Sequence, residues 1–477
     1  MTTILNKLFT MLFYGSPEPF KKLMMYLPVE IKLGGKLFRE TYAFIKSTEF
    51  LPREKLVKIQ EKMLKKTLMN AVSKVPFYKR LGIKISSADD AFKIIRKFPL
   101  IDKDFLKENM KLFLSGDINS LNTYYTSTGG TSGRQFTFYI DKEAYIKEWA
   151  FMISLWERAG YKPGDKVVTF RGVKIKGVSK GIYWQEQPLY NALEMSPFHL
   201  NYETAPLYIR KIIEWKPKFL HGYPSAITLL AKFVKEYNLE EKIPPVKAVL
   251  LTSENIYSWQ RELISKVFRT RVFSWYGQTE KVALAGECGY SSLYHVFPQY
   301  SYVEVVDKNG EPVDEGEEGE IVGTGFLNRA MPFIRYKTGD YAKLAENVGC
   351  VCGRDYMLLE YVKGRHDFEY FVVGKRESLI SVAALNIHTD AFENCERFQL
   401  YQDTPGKLVI KVVPIPGKFT DKDIKKIEKA FKDRIGDELY IEIDLREDIH
   451  IAPSGKIPLL VQKLNINKYV KEIRSGL

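Results

Sequence analysis

Between Thr126 and Arg134 the chain reads T-S-T-G-G-T-S-G-R, with Y-Y before it and F-T-F-Y-I-D soon after. Aromatic and β-branched residues on both sides of a glycine-rich run predict strand, loop, strand. Gly129, Gly130 and Gly133 lack a Cβ, so the backbone can turn to positive φ and approach a ligand closely. Ser127, Thr128, Thr131 and Ser132 add hydroxyl donors, the bare amides add more, and Arg134 adds a charged fork. Phosphate oxygens are the natural target of such a set. The run is neither a Walker loop nor a dinucleotide fingerprint, because the G-x-x-x-x-G-K-[ST] and G-x-G-x-x-G spacings are absent. A flexible Ser/Gly hairpin turn has the same composition, so the run alone does not decide.

The pattern around it sets the fold class. Asp141 is placed to cap a helix that carries Tyr145, Trp149, Ile153 and Trp156 inward and stops at Gly160. Strands are expected at Lys166–Phe170, Lys218–Tyr223, Val246–Ser253 and Arg271–Tyr276, with a helix opened by Pro224 and another near 257–268. Strands alternating with helices imply an α/β domain with a mostly parallel sheet, its ligands bound beyond the carboxyl ends of the strands. Upstream, 52–72 reads as a helix with Leu56, Ile59, Met63, Leu68 and Val72 on one face. Near 297–347 short strands with acidic and glycine turns predict a small β subdomain. After Gly364 a separate α+β piece is expected, with strands at Leu408–Pro414 and Leu439–Leu445 around a helix. That helix is capped by Thr420 and buries Ile424, Ile427, Phe431 and Ile435. The expected domains are therefore 1–363 and 364–477.

Composition narrows the partners. Lys and Arg outnumber Asp and Glu by 14 in 477 residues, which favours anionic partners such as nucleotides, CoA, anionic glycans or a membrane surface. Nucleic acid is disfavoured, since the lysines are spread along the chain and no binding module is recognisable. No run of 18 apolar residues predicts a membrane span. The opening M-T-T-I-L-N-K-L-F-T-M-L-F-Y-G lacks the marks of a signal peptide. It reads as a helix packed on the body or, alternatively, one lying on a membrane surface. Four cysteines make no disulfide framework. A cytoplasmic protein is expected, with peripheral membrane association as the alternative. Serine hydrolase chemistry is disfavoured by only six histidines and no G-x-S-x-G.

Four further stretches join the glycine-rich run: S-W-Y-G-Q-T-E at Ser274–Glu280, R-Y-K-T-G-D at Arg335–Asp340, G-R-H-D at Gly364–Asp367, and S-G-K at Ser454–Lys456. Each is unremarkable alone. In this order and spacing they resemble the adenylate-forming (ANL) superfamily, and within it the phenylacetate–CoA ligase-like branch and the CapK-type capsular polysaccharide biosynthesis proteins. The resemblance runs over nearly the whole chain. It implies an ANL-type fold with stacked sheets and a mobile C-terminal cap domain, and an ATP- and Mg²⁺-dependent ligase that makes an acyl-adenylate and pyrophosphate. The residues from Ser127 to Arg134 would hold the triphosphate, Arg134 standing where the family usually has lysine. Tyr276 would stack on adenine, with Gly277 and Gln278 beside it. Thr279 would bond the α-phosphate, Glu280 would hold Mg²⁺ as a loop carboxylate outside the core, and Asp340 would accept both ribose hydroxyls. Arg365 would contact ribose or phosphate, Asp367 would be the hinge of the cap, and Lys456 would bridge carboxylate and α-phosphate during adenylation.

Two further groups of residues stand out. Cys288, His295, Cys350 and Cys352 offer three sulfurs and one imidazole, a set suited to tetrahedral structural Zn²⁺. Buried free thiols are the alternative, and Cys395 reads as a core residue. The acid pocket is expected near Tyr125, Phe170, Arg171, His221, Tyr223, Ser253, Glu254 and Tyr276, with Ser253 and Glu254 also facing the nucleotide. Aromatics line it, but Arg171, His221 and Glu254 suit a polar acid such as an amino, hydroxy or sugar acid. The acceptor is expected to be an amine or hydroxyl on a polysaccharide precursor. The alternatives are a plain acyl-CoA or aryl-CoA ligase, an adenylyltransferase that leaves AMP on its product, and a non-catalytic assembly partner.

Overall fold

The computed structural model describes residues 27–127, 136–173, 175–200, 203–252, 254, 256, 258–346, 349–363, 371–385, 390–392, 394–449, 460–466 and 469. The chain forms two compact units. One comprises Met1–Thr126, Thr137–Gly164 and Phe273–Asp367. The other comprises Ser127–Phe136, Asp165–Val272 and Phe368–Leu477.

In the first unit the helix Lys142–Glu157 starts where its capping residue predicts. The Asp141 carboxylate accepts the Glu143 amide at 3.0 Å, satisfying one of the first-turn donors. Its buried side chains are Ala144, Ala150, Phe151, Ile153, Ser154, Leu155 and Trp156. Tyr145, expected inward, is 47% exposed. Trp149, also expected inward, is half-buried, and Ala144 takes the buried place in the first turn. The helix Arg53–Lys74 buries Leu56, Leu64, Leu68 and Ala71. Ile59, Met63 and Val72 lie beside that stripe and are only half-buried.

The β region is larger than the expected subdomain. Ser301–Val306, Glu318–Gly325, Tyr336–Leu344, Met357–Lys363, Tyr294–Val296, Leu284–Gly286 and Arg271–Gly277 follow one another as paired neighbours, all antiparallel. Their inward residues, among them Ala285, Val296, Val303, Val305, Ile321 and Leu359, form one apolar cluster. Gly286 is required by this packing, since a Cβ there would lie 2.5 Å from Leu155 Cδ1.

One irregularity positions a candidate functional residue. Pairing between Glu318–Gly325 and Tyr336–Leu344 jumps from Val322↔Lys337 to Glu320↔Tyr341. Thr338, Gly339 and Asp340 thus bulge opposite Ile321 alone. Gly339 supplies the left-handed φ of 74°. Thr338 Oγ1 ties the bulge to the Ile321 carbonyl at 2.8 Å, and the Gly339 amide donates to Glu320 Oε1 at 3.0 Å. Such bulges re-aim a side chain out of the ladder.

The second unit carries the parallel strands. Ala248–Thr252, Phe219–Gly222, Val167–Phe170 and Ala192–Met195 are parallel neighbours, and Trp184–Gln187 closes the edge antiparallel. Helices Ala205–Trp215, Pro224–Glu236 and Ser258–Phe268 lie between strands in sequence, the second opened by its proline. The C-terminal part is α+β. Tyr440–Leu445, Lys407–Pro414, Cys395–Gln402 and Leu460–Gln462 form a four-stranded sheet, joined by the helix Asp421–Ile435. Thr420 and Asp423 make a reciprocal capping box at its start, and Ile427, Phe431 and Ile435 are buried. Ile424 is only half-buried. Phe170, Tyr208 and Leu230 share one apolar core with Phe398, Ile410 and Phe431. Cys395 belongs to that core, and burial, followed by the nearby Asp423, pushes its thiol up to about 12. No helix of the described residues is long and apolar enough to cross a membrane.

Candidate functional site

The strand Arg271–Gly277 is buried from Val272 to Trp275 and emerges at Tyr276 and Gly277. There it meets the Thr338–Asp340 bulge. The Tyr276 hydroxyl donates to Asp340 Oδ2 at 2.7 Å, across 64 residues of sequence. Gln278 Nε2 donates in turn to the Tyr276 hydroxyl, and Gln278 Oε1 accepts the Ala283 amide at 3.2 Å. The Asp340 amide is fixed on Thr338 Oγ1 at 3.1 Å. An aromatic ring, an amide and a carboxylate are thereby held in one place with their orientations set. This is the chemistry that recognises a flat heterocycle and a vicinal diol.

Thr279 is half-buried, whereas Glu280 is 6% exposed and accepts the Tyr336 hydroxyl at 2.9 Å. The expectation that Glu280 is a loop carboxylate outside the core is therefore corrected: it is part of the packing. A strand end closed tightly by Gln278 turns the chain inward, and the carboxylate follows.

Two neighbouring residues, given no role in the sequence analysis, hold this arrangement. Lys281 has a left-handed φ of 58°, and its ammonium is buried against Glu148, whose other oxygen accepts the Tyr300 hydroxyl at 3.0 Å. Arg335 has a φ of 49° and forms a two-pronged ion pair with Glu304, at 3.1 Å on both prongs. Its remaining donors reach the Phe98 and Gly310 carbonyls. Left-handed backbone at a lysine or arginine costs energy and persists only where the surroundings fix it. Here the two strained residues flank Glu280 and Tyr336, the pair that joins the two motifs. Residue type gives no signal for either, because only glycine or asparagine advertises positive φ in a sequence.

The second unit contains most of the expected acid pocket. Phe170 and Tyr223 are buried, and the Arg171 guanidinium lies 4.9 Å from the Tyr223 ring centre. Burial, and then the charge of Arg171, hold the His221 imidazole well below its ordinary value, so it is neutral at pH 7. Glu254 is half-buried. Tyr125 belongs to the first unit, is half exposed and donates to Thr137 Oγ1. Ser127 is buried at the end of the strand Thr123–Ser127. Thr128, Gly129, Gly130, Thr131, Ser132, Gly133, Arg134, Ser253, Arg365, Asp367 and Lys456 lie outside the described residues, as does the N-terminal stretch 1–26.

Cys288, His295, Cys350 and Cys352 come together, their ligand atoms all within 4.8 Å of one another. Cys288 Sγ is 3.6 Å from Cys350 Sγ, and Cys352 Sγ is 3.2 Å from His295 Nε2. These are the edge lengths of a tetrahedron around Zn²⁺, given bonds of about 2.0–2.3 Å. The 3.6 Å separation also excludes a disulfide there. His295 Nδ1–H donates to the Leu293 carbonyl at 3.0 Å, which leaves the Nε2 lone pair facing the cluster. The Tyr290 and Ser291 amides each donate to Cys288 Sγ at 3.3 Å. Burial pushes this thiol up, but its contact with the His295 ring and the hydrogen bonds from Ser291 and the two amides outweigh it and bring it to about 5. The donor set, its spacing and its tautomer all fit a zinc ion.

Known proteins match this description. The CapK C-terminal domain family matches residues 372–463. Protein CapK of Staphylococcus aureus is 23% identical over 369 residues, covering 76% of this chain and 79% of that protein. A phenylacetate–coenzyme A ligase of Thermus thermophilus is 25% identical over 327 residues, covering 67% and 72%. In fold the chain is similar to 2-hydroxyisobutyryl-CoA ligase in complex with 2-HIB-AMP and CoA, with a TM-score of 0.57, 17% identity and coverage of 91% and 94%. The chain is thus similar to protein CapK and to phenylacetate–coenzyme A ligases over two thirds or more of its length, matches the CapK C-terminal domain family at its end, and shares the fold of an adenylate-forming CoA ligase.

Proposed function

We propose that this protein is an adenylate-forming ligase that activates a carboxylic acid with ATP and passes the acyl group to an amine or hydroxyl of a surface or capsular polysaccharide precursor. The observation that carries the reading is the Tyr276–Asp340 hydrogen bond, which joins the Y-G-Q-T-E and T-G-D motifs into one nucleotide-recognition group. Asp340 and Tyr276 orient ribose and adenine. Thr279, with the Ser127–Arg134 loop and Arg365, positions the phosphates. Glu280 is the oxygen ligand available to Mg²⁺, which would offset phosphate charge. Lys456 neutralises charge as the carboxylate oxygen bonds the α-phosphorus and pyrophosphate leaves. The cap, residues 364–477, then turns about Asp367 to admit the acceptor. Cys288, His295, Cys350 and Cys352 hold a structural zinc. Ser253 and Glu254 line the junction of acid and nucleotide, and Arg171, His221 and Tyr223 favour an acid with polar substituents.

A cytoplasmic protein touching anionic, membrane-linked precursors through its basic surface fits the net charge of +14. CoA as acceptor is the second reading, supported by the coenzyme A ligases among the relatives. A single-turnover assay separates them. Pre-formed acyl-AMP is offered CoA in one arm and amino- or hydroxy-sugar nucleotides in the other. Saturable transfer to a sugar is expected, and fast transfer to CoA with none to sugars would overturn the glycan reading.

A further inference from the structure

The helix Lys142–Glu157 runs into Arg158, whose guanidinium touches all three segments that bear the cluster's ligands. Nη1 donates to the Gly286 carbonyl at 3.2 Å, two residues before Cys288. The guanidinium carbon lies 4.3 Å from the centre of the Phe297 ring, two residues after His295. It lies 5.8 Å from the Tyr356 ring, four residues after Cys352. The residue as a whole is half-buried, but Nε and Nη2 are fully buried and neither has a hydrogen-bond partner. Arg158 thus brings a positive charge and two unsatisfied donors into an interior where both are costly.

The other ions nearby are already matched. Arg354 donates to Glu49 at 2.7 and 2.9 Å and also lies against the Cys352 thiol, so its charge is already shared between a carboxylate and the cluster. Lys46 is shared between Glu49 at 2.6 Å and Glu157 at 3.4 Å. Burial, and then the charge of Arg354, lower the Arg158 guanidinium to about 10, and Tyr356, Glu49 and Cys352 offset only part of this. Three thiolates and a neutral imidazole around a divalent ion carry one net negative charge. We propose that Arg158 is the counter-cation and outer hydrogen-bond donor of a Zn²⁺ centre formed by Cys288, His295, Cys350 and Cys352, so that metal binding satisfies a charge the fold otherwise leaves unmatched. This rests on the zinc reading above. It adds that Arg158 tunes the site rather than merely packing on Phe297 and Tyr356.

The test compares the wild type with Arg158→Met, Arg158→Gln and Arg158→Lys. Zinc content is measured by elemental analysis, zinc affinity by competition with a chromophoric chelator, and melting with and without zinc. Removing the charge should weaken zinc binding about 10- to 100-fold, as loss of an outer-shell partner does. The zinc-free Met variant should melt no lower than the zinc-free wild type, because the unmatched buried cation is gone. Lys should keep most of the affinity. Gln can still donate to Gly286, and it decides the matter if Met does not fold. A wild type that binds zinc while the Met or Gln variant binds it equally well would overturn the role of Arg158 alone. A wild type that binds no zinc, even when it is supplied, would overturn the metal reading and this inference with it.

Discussion

Replacing Arg335 with methionine tests the account of how the nucleotide motifs are held. The guanidinium makes two charge-assisted bonds to Glu304, and both side chains are under a tenth exposed. Solvent screening therefore gives little relief. Methionine keeps the stem and the left-handed backbone cost but leaves Glu304 charged, buried and unpaired, and strands the Phe98 and Gly310 carbonyls. Breaking one side of a buried pair costs about 3–5 kcal/mol. Urea unfolding followed by tryptophan fluorescence should show a loss of that order. Adding Glu304→Gln should recover more than half of it, because the stranded charge is the larger part of the damage. Arg335 directly precedes Tyr336, the donor to Glu280, so the folded fraction of the single variant should also bind ATP more weakly. A loss below about 1 kcal/mol, or a double variant as unstable as the sum of its singles, would refute the reasoning.

Tyr276→Phe removes one hydrogen bond, about 0.5–1.5 kcal/mol, and should raise the KM for ATP by up to about tenfold with kcat little changed, as steady-state kinetics would show. Glu280→Gln should both impair Mg²⁺-dependent turnover and lower the melting temperature, since this carboxylate is buried on Tyr336. Unaltered melting would contradict its place in the packing. Lys456→Ala should cut acyl-AMP formation by a factor on the order of 10² or more, yet still transfer the acyl group from supplied acyl-AMP, read by single-turnover quench. Burial brings His199 down to about 4, below its ordinary 6.5. The unfolded chain therefore takes up a proton first, and stability should fall as pH drops from 6.5 toward 4, by up to about 1.4 kcal/mol per pH unit. His199→Gln should be less acid-sensitive in urea unfolding at pH 7, 6 and 5, and equal sensitivity would contradict this.

The parts legible in the sequence were those whose signal is local. Asp141, Pro224 and Thr420 mark helix starts because capping is decided within a turn. The parallel strands of the second unit followed from β-branched runs between helices. The cysteines and His295 announced themselves by residue type, although only the antiparallel pairing of Tyr294–Val296 with both Met357–Lys363 and Leu284–Gly286 explains how they meet. What remained hidden depends on contacts between distant residues. Lys281 and Glu148 are 133 positions apart, and nothing in either segment names the other. Arg335 reads as a surface charge until Glu304 is found beside it. Arg158 looks like an ordinary helix-ending arginine, and only its burial among the ligand-bearing strands sets it apart. Tyr145 shows the opposite failure, an aromatic at a core spacing that is 47% exposed and packs edge-on against Trp149.

The central claim is tested most directly by carboxylate-dependent exchange of labelled pyrophosphate into ATP, screened over aromatic, hydroxy, amino and sugar acids. Adenylation is reversible, so a true substrate produces exchange without any acceptor. The account predicts strong exchange with a polar acid, and its loss in Asp340→Ala and Lys456→Ala. No exchange with any acid, from protein that binds ATP no better than its Asp340→Ala variant, would contradict it.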